Sequence, residues 1–399
     1  MHDIVKFAPL AEVALPKGLI GGPFGSSLGK KDYVSSGIPV IRGQNLAGPR
    51  RFSLDDLVFV TEAKAASELA RNLAEPGDVI FTQRGTLGQV GVVPKQPYKR
   101  YVISQSQMRL RVDPDRADAT YIYYCFLDAR MQDTIKSNAI TTGVPHINLG
   151  ILAELQVPLP PLHEQRAIAE VLGALDDKVE MNEKLRDLAD CTWRALLDQA
   201  LARSERVPVP LSSLARFVNG KAYTKNATDT GRMVIRIAEL NSGPGGSTVY
   251  NDIEVPSENL AVPGDLLFAW SGSLTVQRWH RPEAIINQHI FKVLPTGDTP
   301  LWLVHGLLLD LLPYFRGIAS GKATTMGHIQ RHHLEEPVEV PSATTMSALD
   351  RVCAPLWQVA LAAEEESLVL ADLRNALLPK LLSGELRVRD AESLVKEAV

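Results

Sequence analysis

The stretch Pro76-Gly77-Asp78-Val79-Ile80-Phe81 decides the fold, because it returns later in the chain as Pro263-Gly264-Asp265-Leu266-Leu267-Phe268. Other short segments return in the same order: Val40-Ile41-Arg42 as Val234-Ile235-Arg236, Gly85-Thr86-Leu87 as Gly272-Ser273-Leu274, Ile103-Ser104-Gln105 as Ile286-Asn287-Gln288, and Thr141-Thr142-Gly143-Val144-Pro145-His146-Ile147 as Thr324-Thr325-Met326-Gly327-His328-Ile329. The offset drifts only from 194 residues (40 to 234) to 182 residues (147 to 329). Solenoid repeats have periods of roughly 20–50 residues, so this period indicates a duplicated domain. Two copies of one surface suit two copies of a ligand, or one ligand with near two-fold symmetry.

Composition is that of an ordinary globular protein. With 399 residues, 45% of them hydrophobic, the chain is long enough for two or more domains with cores of their own. No apolar run reaches the roughly 18 residues of a membrane span, and the N-terminus lacks the charged-then-apolar order of a signal peptide. The three cysteines are too scattered for a disulfide framework or a metal site. These features predict a cytoplasmic location without membrane contact.

The net charge of −4 is unevenly distributed along the chain. Residue counts give +3 for segment 1–160, −3 for 161–206, −1 for 207–342 and −3 for 343–399. The acidic residues are therefore concentrated in the second and fourth segments. The total charge says little about nucleic-acid binding, which depends on local cationic surfaces.

Two segments have helical periodicity. Apolar residues recur at steps of three and four from His163 to about Arg203, and again from Met346 to about Leu382. The predicted seam residues are Ile168, Leu172, Leu175, Val179, Leu185, Ala189, Trp193, Leu196 and Ala200 in the first series, and Leu349, Val352, Leu356, Val359, Ala363, Leu370, Leu373 and Leu377 in the second. Asn182 and Glu366 interrupt the two series near their middles. Each helix is expected to be about 40 residues and about 60 Å long, and a narrow seam of that length favours pairing with another helix. The alternative is two ordinary surface helices on separate domains. Pro355 falls inside the second pattern and predicts a kink or a later start.

The other two segments, 1–160 and 207–342, are predicted to be mixed and mainly β. Short β-branched runs are bounded there by Gly and Pro, as in Asp78–Phe81, Gln89–Val93 and Tyr101–Ile103. One helix is predicted in each copy, over Tyr121–Lys136 and Trp302–Arg316. The fold class is therefore α+β, with two tandem mixed domains. Their connections are long and rich in Gly, Ser and Asn, and loops on a rigid scaffold usually hold the binding residues.

The sequence contains no recognisable catalytic motif. It has neither a Gly-x-Gly-x-x-Gly after a strand nor a phosphate-binding loop. Glu62-Ala63-Lys64 and Asp176-Asp177-Lys178 match the end of a nuclease pattern, but such triplets are common by chance. His328, His332 and His333 lack the further ligand that a zinc site needs. No catalytic residue and no metal ligand is predicted.

Long stretches of both copies contain cations but no carboxylate. Between Asp78 and Asp113 these cations are Arg84, Lys95, Lys99, Arg100, Arg109 and Arg111. Such stretches suit a polyanion, because cations contact phosphates while amides and hydroxyls reach base edges. The predicted DNA-binding residues are Lys30, Lys31, Arg42, Gln44, Asn45, Gln83, Arg84, Gln105 and Gln107 in the first copy, and Lys221, Lys225, Arg236, Trp270, Gln288, His289 and Lys322 in the second. Each residue alone is also compatible with a structural role, so the repetition in register is the stronger argument.

At this point the sequence resembles a known family, the specificity subunits of type I DNA restriction–modification systems. The resemblance spans essentially the whole chain. Its most specific segments are Val157-Pro158-Leu159-Pro160-Pro161-Leu162-His163-Glu164-Gln165, Leu175-Asp176-Asp177-Lys178-Val179-Glu180-Met181-Asn182 and Leu377-Leu378-Pro379-Lys380-Leu381-Leu382-Ser383-Gly384-Glu385-Leu386. Gly22-Pro23-Phe24-Gly25-Ser26-Ser27-Leu28 and the Gly-Asp-x-x-Phe repeats are also similar to it.

The resemblance implies an architecture with pseudo-two-fold symmetry. Two target-recognition domains, 1–160 and 207–342, would each bind one half of a split DNA sequence. Two long antiparallel helices would form a coiled-coil-like spacer, the first over 161–206 and the second, with a tail, over 343–399. One departure is that Ser342-Ala343-Thr344-Thr345-Met346 replaces the Pro-Leu-x-Glu-Gln segment before the second helix, which leaves local docking there open.

The resemblance also implies that other subunits carry out the chemistry. Two methyltransferase subunits would use S-adenosylmethionine and restriction subunits would use ATP and Mg²⁺, whereas this chain would bind double-stranded DNA and hold no cofactor. Whether a restriction subunit is present stays open. The helix residues expected to dock the partners are Ile168, Leu172, Leu175, Trp193, Leu370, Leu373 and Leu377. The competing hypothesis is a duplicated protein-binding scaffold without sequence-specific DNA recognition.

Overall fold

The computed structural model describes residues 6–48, 50–225, 227–320 and 327–398. Its strands are β1 (Phe7–Pro9), β2 (Ala14–Gly21), β3 (Ile38–Ile41), β4 (Val58–Val60), β5 (Leu73–Ala74), β6 (Val79–Thr82), β7 (Val90–Val92), β8 (Tyr101–Ile103), β9 (Gln107–Val112), β10 (Gln156–Pro158), β11 (Arg206–Pro210), β12 (Ala215–Asn219), β13 (Arg232–Ile235), β14 (Tyr250–Asn251), β15 (Leu260–Ala261), β16 (Leu266–Ala269), β17 (Thr275–Arg278), β18 (Ala284–Ile286), β19 (Ile290–Pro295) and β20 (Pro337–Pro341). Its helices are α1 (Glu62–Ala66), α2 (Ala119–Leu127), α3 (Ala129–Ser137), α4 (Leu149–Glu154), α5 (Leu162–Arg203), α6 (Leu211–Leu214), α7 (Ile237–Ser242), α8 (Leu301–Ser320), α9 (Ala343–Leu382) and α10 (Val388–Ala398).

The chain divides into two compact units, and each combines one copy of the repeat with parts of both long helices. Unit 1 comprises residues 1–180 and 370–399, and unit 2 comprises residues 181–369. The division passes through α5 and α9 themselves, because each half of a long helix packs against the residues of its own unit. The two units are described separately below.

Unit 1 contains three small sheets. Their strand orders are β2-β9-β6-β7, β4-β3-β8-β5 and β1-β10. All neighbouring strands are antiparallel except β3 and β8, which pair in parallel at Val40 with Val102 and Ile41 with Ile103. All four residues of β6 are buried, because β9 and β7 flank it and α2 covers it. The run that begins the repeat is therefore a central strand, as its apolar sequence predicts.

Unit 2 repeats this topology strand for strand. Its sheets have the orders β12-β19-β16-β17, β14-β13-β18-β15 and β11-β20. The parallel pair is again present, with Val234 opposite Ile285 and Ile235 opposite Ile286. The duplication inferred from the sequence is thus a duplication of the fold.

The two long helices pair antiparallel, as expected. In unit 2, Asn182 Nδ2 donates a hydrogen bond to Glu366 Oε2 at 2.7 Å, and the rings of Trp193 and Trp357 lie 6.4 Å apart. Residue numbers rise along α5 as they fall along α9, which defines the direction. The helices contain 42 and 40 residues. Of the two outcomes predicted at Pro355, a kink or a later start, the later start is wrong, because α9 begins at Ala343 and includes Pro355.

The buried seam of the helix pair differs in part from the predicted one. The predicted seam residues Leu185, Val352 and Val359 are exposed. The buried residues here are Asn182, Ala189, Trp193 and Leu197 on α5 and Cys353, Trp357, Ala360 and Ala363 on α9. The reason is that in unit 2 the helices pack against the rest of the unit as well as against each other. For example, the ring centroids of Trp193 and of Trp302 in α8 lie 6.1 Å apart. The buried face is therefore rotated relative to a seam that serves two helices alone.

Three further predictions about helices need correction or comment. The single helix predicted over Tyr121–Lys136 is two helices, because Asp128 ends α2 and caps α3 by accepting from the backbone N–H of Arg130 at 3.0 Å. The predicted C-terminal tail contains the amphipathic helix α10. By length and composition alone α8 is able to span a membrane, but half of its residues are buried, with its apolar side chains in the core of unit 2.

Gln165 explains why the Pro-Leu-x-Glu-Gln segment marks the start of α5. Its side chain is buried, donates to the carbonyl of Pro160 at 2.9 Å and accepts from the backbone N–H of Asp118 at 3.1 Å. It therefore ties the helix start to the N-terminus of α2. Met346 stands at the corresponding place in unit 2 and packs against the apolar core instead.

Candidate nucleic-acid interface

The repeated motifs of unit 1 meet at one place, here called loop cluster 1 (residues 22–28, 41–46, 83–84, 104–107 and 146–147). Backbone hydrogen bonds join these segments: Gly22 N to Gln107 O at 2.8 Å, Ser104 N to Ile41 O at 3.0 Å, Gln83 N to Ser106 O at 2.7 Å, and Ile147 N to Gln83 O at 3.0 Å. Segments that are distant in sequence thus present their side chains from one bonded framework.

Unit 2 contains the same framework, called loop cluster 2 (residues 220–225, 235–239, 270–271, 287–290 and 327–329). The bonds are Gly220 N to Ile290 O at 3.0 Å, Asn287 N to Ile235 O at 3.2 Å, Trp270 N to His289 O at 3.0 Å, and Ile329 N to Trp270 O at 3.1 Å. This network fixes the equivalent positions: Gln83 corresponds to Trp270, Arg84 to Ser271, Gln105 to Gln288, and Ser106 to His289.

Gly22 and Gly220 hold equivalent positions for a steric reason. A Cβ atom on Gly22 would collide with the carbonyl oxygen of Ser104, and one on Gly220 would collide with the carbonyl of Asn287. The first loop therefore approaches the β8–β9 connection, or β18–β19 in unit 2, as closely as backbone permits. Any other residue at these two positions would open the loop cluster.

The predicted DNA-binding residues differ in exposure. Exposed ones are Lys30, Lys31, Gln44, Arg84, Gln105, Lys221, Lys225 and Gln288. Half-buried ones are Arg42, Gln83, Arg236, Trp270 and His289. Lys322 lies outside the described residues. Apart from Lys322, the candidates thus belong to the loop clusters or to the loops and turns beside them, and their contact with DNA stays a prediction.

Asn45 and Gln107 do not face solvent, and this corrects their place among the candidate base-contacting residues. Both are fully buried. Asn45 Oδ1 accepts from Arg42 N at 2.9 Å, while its amide donates to the carbonyls of Ser53 and Asp55 at 3.1 and 3.0 Å. Gln107 accepts a hydrogen bond from the Ser104 hydroxyl. Asn45 thus joins two parts of its loop, whereas Gln107 bonds through its oxygen and its Nε2 is buried without a hydrogen-bond partner.

Arg42 and Arg236 end equivalent strands and are both partly engaged. Arg236 makes two hydrogen bonds to the carboxylate of buried Glu239, one of them from Nε to Oε2 at 2.9 Å, and donates to Ser247 O at 2.7 Å. Burial raises the pKa of Glu239, but its hydrogen bonds with Arg236 and Thr248 outweigh this and the net pKa is lowered. The Arg236–Glu239 pair is therefore charged and holds the loop, which leaves little of the guanidinium for DNA.

Aromatic rings occupy loop cluster 2 where loop cluster 1 has polar residues. Trp270 lies 5.1 Å from His289 and 5.7 Å from Phe291 between ring centroids, and its indole N–H donates to Asn219 Oδ1 at 2.8 Å. His289 adopts a φ of 76°, and its Nδ1 is buried without a hydrogen-bond partner. This group gives unit 2 a fixed apolar surface, which the sequence indicates only through Trp270 itself.

The predicted partner-docking residues lie inside the units. Ile168, Leu172, Leu175, Trp193, Leu370 and Leu377 are buried, and Leu373 is half-buried against the core of unit 1. Their side chains contact this chain's own cores, so they hold the helices in place and are not available to another subunit. The assignment of docking to the seam is corrected accordingly.

A second apolar series on the helices is exposed, and the sequence analysis did not separate it from the seam. It comprises Met181, Leu185 and Leu188 on α5, exposed by 67%, 45% and 66%, and Val352, Val359 and Val369 on α9, exposed by 52%, 40% and 63%. Most of these residues come one position before a buried one, as Leu188 precedes Ala189 and Val359 precedes Ala360. Because the helices are antiparallel, both series lie on the same side of the pair. This surface is called the exposed helix face.

Among the described residues, no group of three or more His, Cys, Asp or Glu side chains is placed to hold a metal ion. His332 and His333 pack ring against ring at 4.0 Å, and His333 Nδ1 accepts from Gln330 N at 2.9 Å. His328 lies against Trp270 instead. The three histidines therefore serve different local contacts.

Comparison with known proteins shows what this chain is similar to. Residues 28–189 match the family model described as Type I restriction modification DNA specificity domain. The chain is 23% identical to the Type I restriction enzyme MjaIX specificity subunit of Methanocaldococcus jannaschii, over 97% of this chain and 94% of that protein. Residues 28–189 thus match a type I DNA specificity domain, and nearly the whole chain is similar to a type I specificity subunit. A further specificity subunit of that organism, MjaVIII, is 30% identical over 81 residues, which are 20% of this chain and 19% of that protein.

A solved structure shares the fold of this chain. The crystal structure of the Type-I restriction-modification system S subunit from M. genitalium matches with a TM-score of 0.57 at 17% identity, over 94% of this chain and 96% of that chain. The family model reaches only into the first part of α5, but unit 2 repeats the topology of the matched region. The expected fold class and the resemblance stated from the sequence are both confirmed.

Proposed function

We propose that this protein is the DNA-recognition component of a type I restriction–modification complex and binds a bipartite duplex site. The observation that supports this most directly is the duplicated bonded framework of the two loop clusters. The framework is the same in both units, while the side chains on it differ, with Gln83-Arg84 in one and Trp270-Ser271 in the other. A shared scaffold with different side chains suits two different half-sites.

Cations beside the loop clusters would bind phosphates. Lys30 and Lys31 lie exposed on a short turn after the first loop of unit 1, and Lys221 and Lys225 are exposed in unit 2. Removing one phosphate-binding cation should reduce the slope of log affinity against log salt by about 0.9. A gel-shift series over salt, with wild type and the fourfold alanine variant, tests this on specific and unrelated duplexes. An unchanged slope would contradict phosphate contact, and absence of salt-dependent binding in wild type would favour a protein-binding scaffold.

Modular recognition has its own test. Replacing residues 1–157 by the first domain of another family member should change one half-site and leave the other unchanged. Methylation mapping of cells that carry the hybrid, with its methyltransferase subunits, reports both half-sites at once. A change in both halves, or in neither, would contradict the assignment of one half-site to each unit.

The exposed helix face is the surface we propose for the methyltransferase subunit. Six large apolar side chains in solvent on one side of a helix pair form the kind of patch that marks a protein interface. Its place on α5 and α9 agrees with the expectation that partners dock on the helices. The residues of the exposed helix face differ from the docking residues predicted from the seam, because the seam residues are buried inside the units.

Charge introduced into this face tests the docking proposal. Leu188→Glu combined with Val359→Glu should abolish co-purification with the methyltransferase subunit, because two carboxylates would be desolvated at the interface. Gln199→Glu combined with Gln358→Glu, which introduces the same two charges at other exposed positions of α5 and α9, is the matched control. Salt-dependent DNA binding by the chain alone should stay normal in both variants. Intact complex in the double variant would exclude this face.

The remaining parts of the proposal follow the family resemblance. The chain is non-catalytic and cytoplasmic, and the partner subunits bind S-adenosylmethionine, ATP and Mg²⁺. Purified chain incubated with labelled S-adenosylmethionine and target duplex should transfer no methyl group above background. Transfer that co-purifies with the chain would contradict this.

The helices would set the gap between the half-sites. Four residues inserted after Ala200 lengthen the helix by about 5.4 Å, or roughly one to two base pairs of duplex. Methylation mapping should show a longer gap with unchanged half-sites. An active variant with the original gap would mean that the spacing is set elsewhere.

A further inference from the structure

The polar side chains of loop cluster 1 divide by whether their donors are already used. Gln44 Nε2 donates to Asp56 O at 3.2 Å. Gln105 Nε2 donates to Leu28 O at 3.0 Å and also to Gly25 O. Both amides thus hold neighbouring loops although their residues are exposed. A base edge that needs these N–H donors would have to compete with the loop carbonyls for them.

Arg84 is different. It is exposed, and within the part of the chain that the structure describes its guanidinium makes no hydrogen bond and no ion pair. Its backbone is fixed, because Arg84 pairs with His146 in an isolated β-bridge and the preceding Gln83 is bonded on both sides to Ser106 and Ile147. A free planar donor on a rigid backbone is the arrangement that discriminates between ligands.

Loop cluster 2 has a free planar donor at another position. Ser271, the equivalent of Arg84, is buried, and Trp270 has its indole N–H bonded to Asn219. Gln288, the equivalent of Gln105, is exposed, and among the described residues its side chain makes no hydrogen bond. Its backbone N–H donates to Lys221 O at 2.9 Å, which fixes the position. The same framework thus presents an arginine in unit 1 and an amide in unit 2.

We propose that Arg84 and Gln288 are the main base-selecting residues, with Arg84 choosing a guanine in the half-site of unit 1 and Gln288 an adenine in the half-site of unit 2. A guanidinium matches the two acceptors O6 and N7 of guanine in the major groove, and a carboxamide matches N6 and N7 of adenine. The assignment rests on the proposed function, since it requires that the loop clusters meet DNA. It adds which residue in each unit discriminates and for which base.

Selection from a random duplex library tests both residues. The probe is the chain assembled with its methyltransferase subunits, and bound DNA is sequenced for wild type, Arg84→Ala, Arg84→Lys and Gln288→Ala. Arg84→Ala should reduce preference for one guanine in one half-site by roughly 5- to 150-fold and leave the other half-site intact. Gln288→Ala should have the same effect on one adenine of the other half-site.

The lysine variant separates base recognition from phosphate contact. Lysine keeps the charge of Arg84 but not the planar pair of donors, so Arg84→Lys should weaken the guanine preference more than the overall affinity, whereas Arg84→Ala should remove the preference. An unaltered motif in Arg84→Ala or in Gln288→Ala overturns the assignment while leaving bipartite recognition intact. A wild-type complex that selects no bipartite motif would overturn the proposed function and this assignment with it.

Discussion

The two units fill one equivalent position on the helix pair with opposite chemistry. In unit 1, Asp176 accepts from the Tyr124 hydroxyl at 2.6 Å and from Arg374 Nη1 at 2.6 Å. In unit 2, an offset of 181 residues gives the equivalent positions. His305 replaces Tyr124, Trp357 replaces Asp176, and Trp193, which comes 181 residues before Arg374, replaces that arginine. These three rings lie 5.2 to 6.4 Å apart. A charged cluster in one unit is thus an aromatic cluster in the other.

This difference shows that the duplicated fold does not make the helix halves interchangeable. The half of α9 in unit 1 brings an arginine that pairs with buried Asp176, and the half of α5 in unit 2 brings an indole that packs against His305 and Trp357 and donates to Asp190. An indole in place of Arg374 would leave the Asp176 carboxylate without its cation, and an arginine in place of Trp193 would lose these ring contacts. Such exchanges are strongly disfavoured, so each half of a long helix fits only the residues that it contacts in its own unit.

The largest effect is expected from breaking the charged cluster. Arg374→Leu leaves Asp176, which is 6% exposed, without its cation and should destabilise unit 1 by about 3–5 kcal/mol. Asp176→Leu combined with Arg374→Leu should recover most of that stability, because no buried charge then remains. Urea-dependent hydrogen exchange of α2 and of the first half of α5 measures both variants. Equal destabilisation in the single and double variants would contradict coupling between the two residues.

The aromatic cluster should make unit 2 sensitive to acid. Burial, followed by the nearby Arg278, lowers the pKa of His305 from its ordinary 6.5 to about 4. The unfolded chain binds a proton below about pH 6.5, whereas the folded chain binds it only near pH 4. The contribution of neutral His305 to the free energy of unfolding is therefore complete above pH 6.5. It is lost as the pH falls towards 4, by roughly 3 kcal/mol in total.

His305→Phe isolates this contribution. The difference in unfolding free energy of unit 2 between wild type and this variant should change across pH 4 to 6.5 and be constant above it. Tyr124→Phe in unit 1 is the control, because burial and Asp176 raise the pKa of the Tyr124 phenol and keep its titration out of this window. A pH-independent difference for His305→Phe would mean that the ring is protonated equally easily in both states.

The smallest effect is expected at the loop clusters. Gln105→Ala removes the donor that bonds to Leu28 O and should cost about 1 kcal/mol, with faster hydrogen exchange over residues 24–32. Gln288→Ala at the equivalent position of unit 2 should change stability by less than about 0.5 kcal/mol. Comparable destabilisation at both positions would show that Gln288 also holds a loop.

The sequence predicts strands and helices well where a burial pattern decides them. The runs at Val79 and Leu266 are buried on both faces, and Gly and Pro bound them, so they are recognisable without tertiary information. The start of α5 is also marked, since Gln165 and the prolines before it form a local contact. By contrast, the end of α2 depends on a single cap, Asp128, inside an otherwise helical pattern.

The candidate site was predictable as a set of segments but not residue by residue. Repetition in register identifies the segments, because both copies must build the same backbone contacts. It does not tell which amide is already bonded, so buried Asn45 looks the same as exposed Gln44 in the sequence. The prediction of the helix seam was partly wrong for a related reason. Leu185 and Ala189 both fit steps of three and four, and only packing against the rest of unit 2 decides which of them is buried.

Tyr124 and His305 restrict how new specificities arise by recombination. Each lies in a recognition domain yet contacts a long helix, at Asp176 of α5 and at Trp357 of α9. A gene fragment that encodes a first domain would therefore fit best if it brings a hydroxyl to the helix, and one that encodes a second domain would fit best if it brings an uncharged ring. Domains inherited from other genes would be exchangeable within their own position but not between positions, so the two half-sites would diversify as separate lineages within one chain.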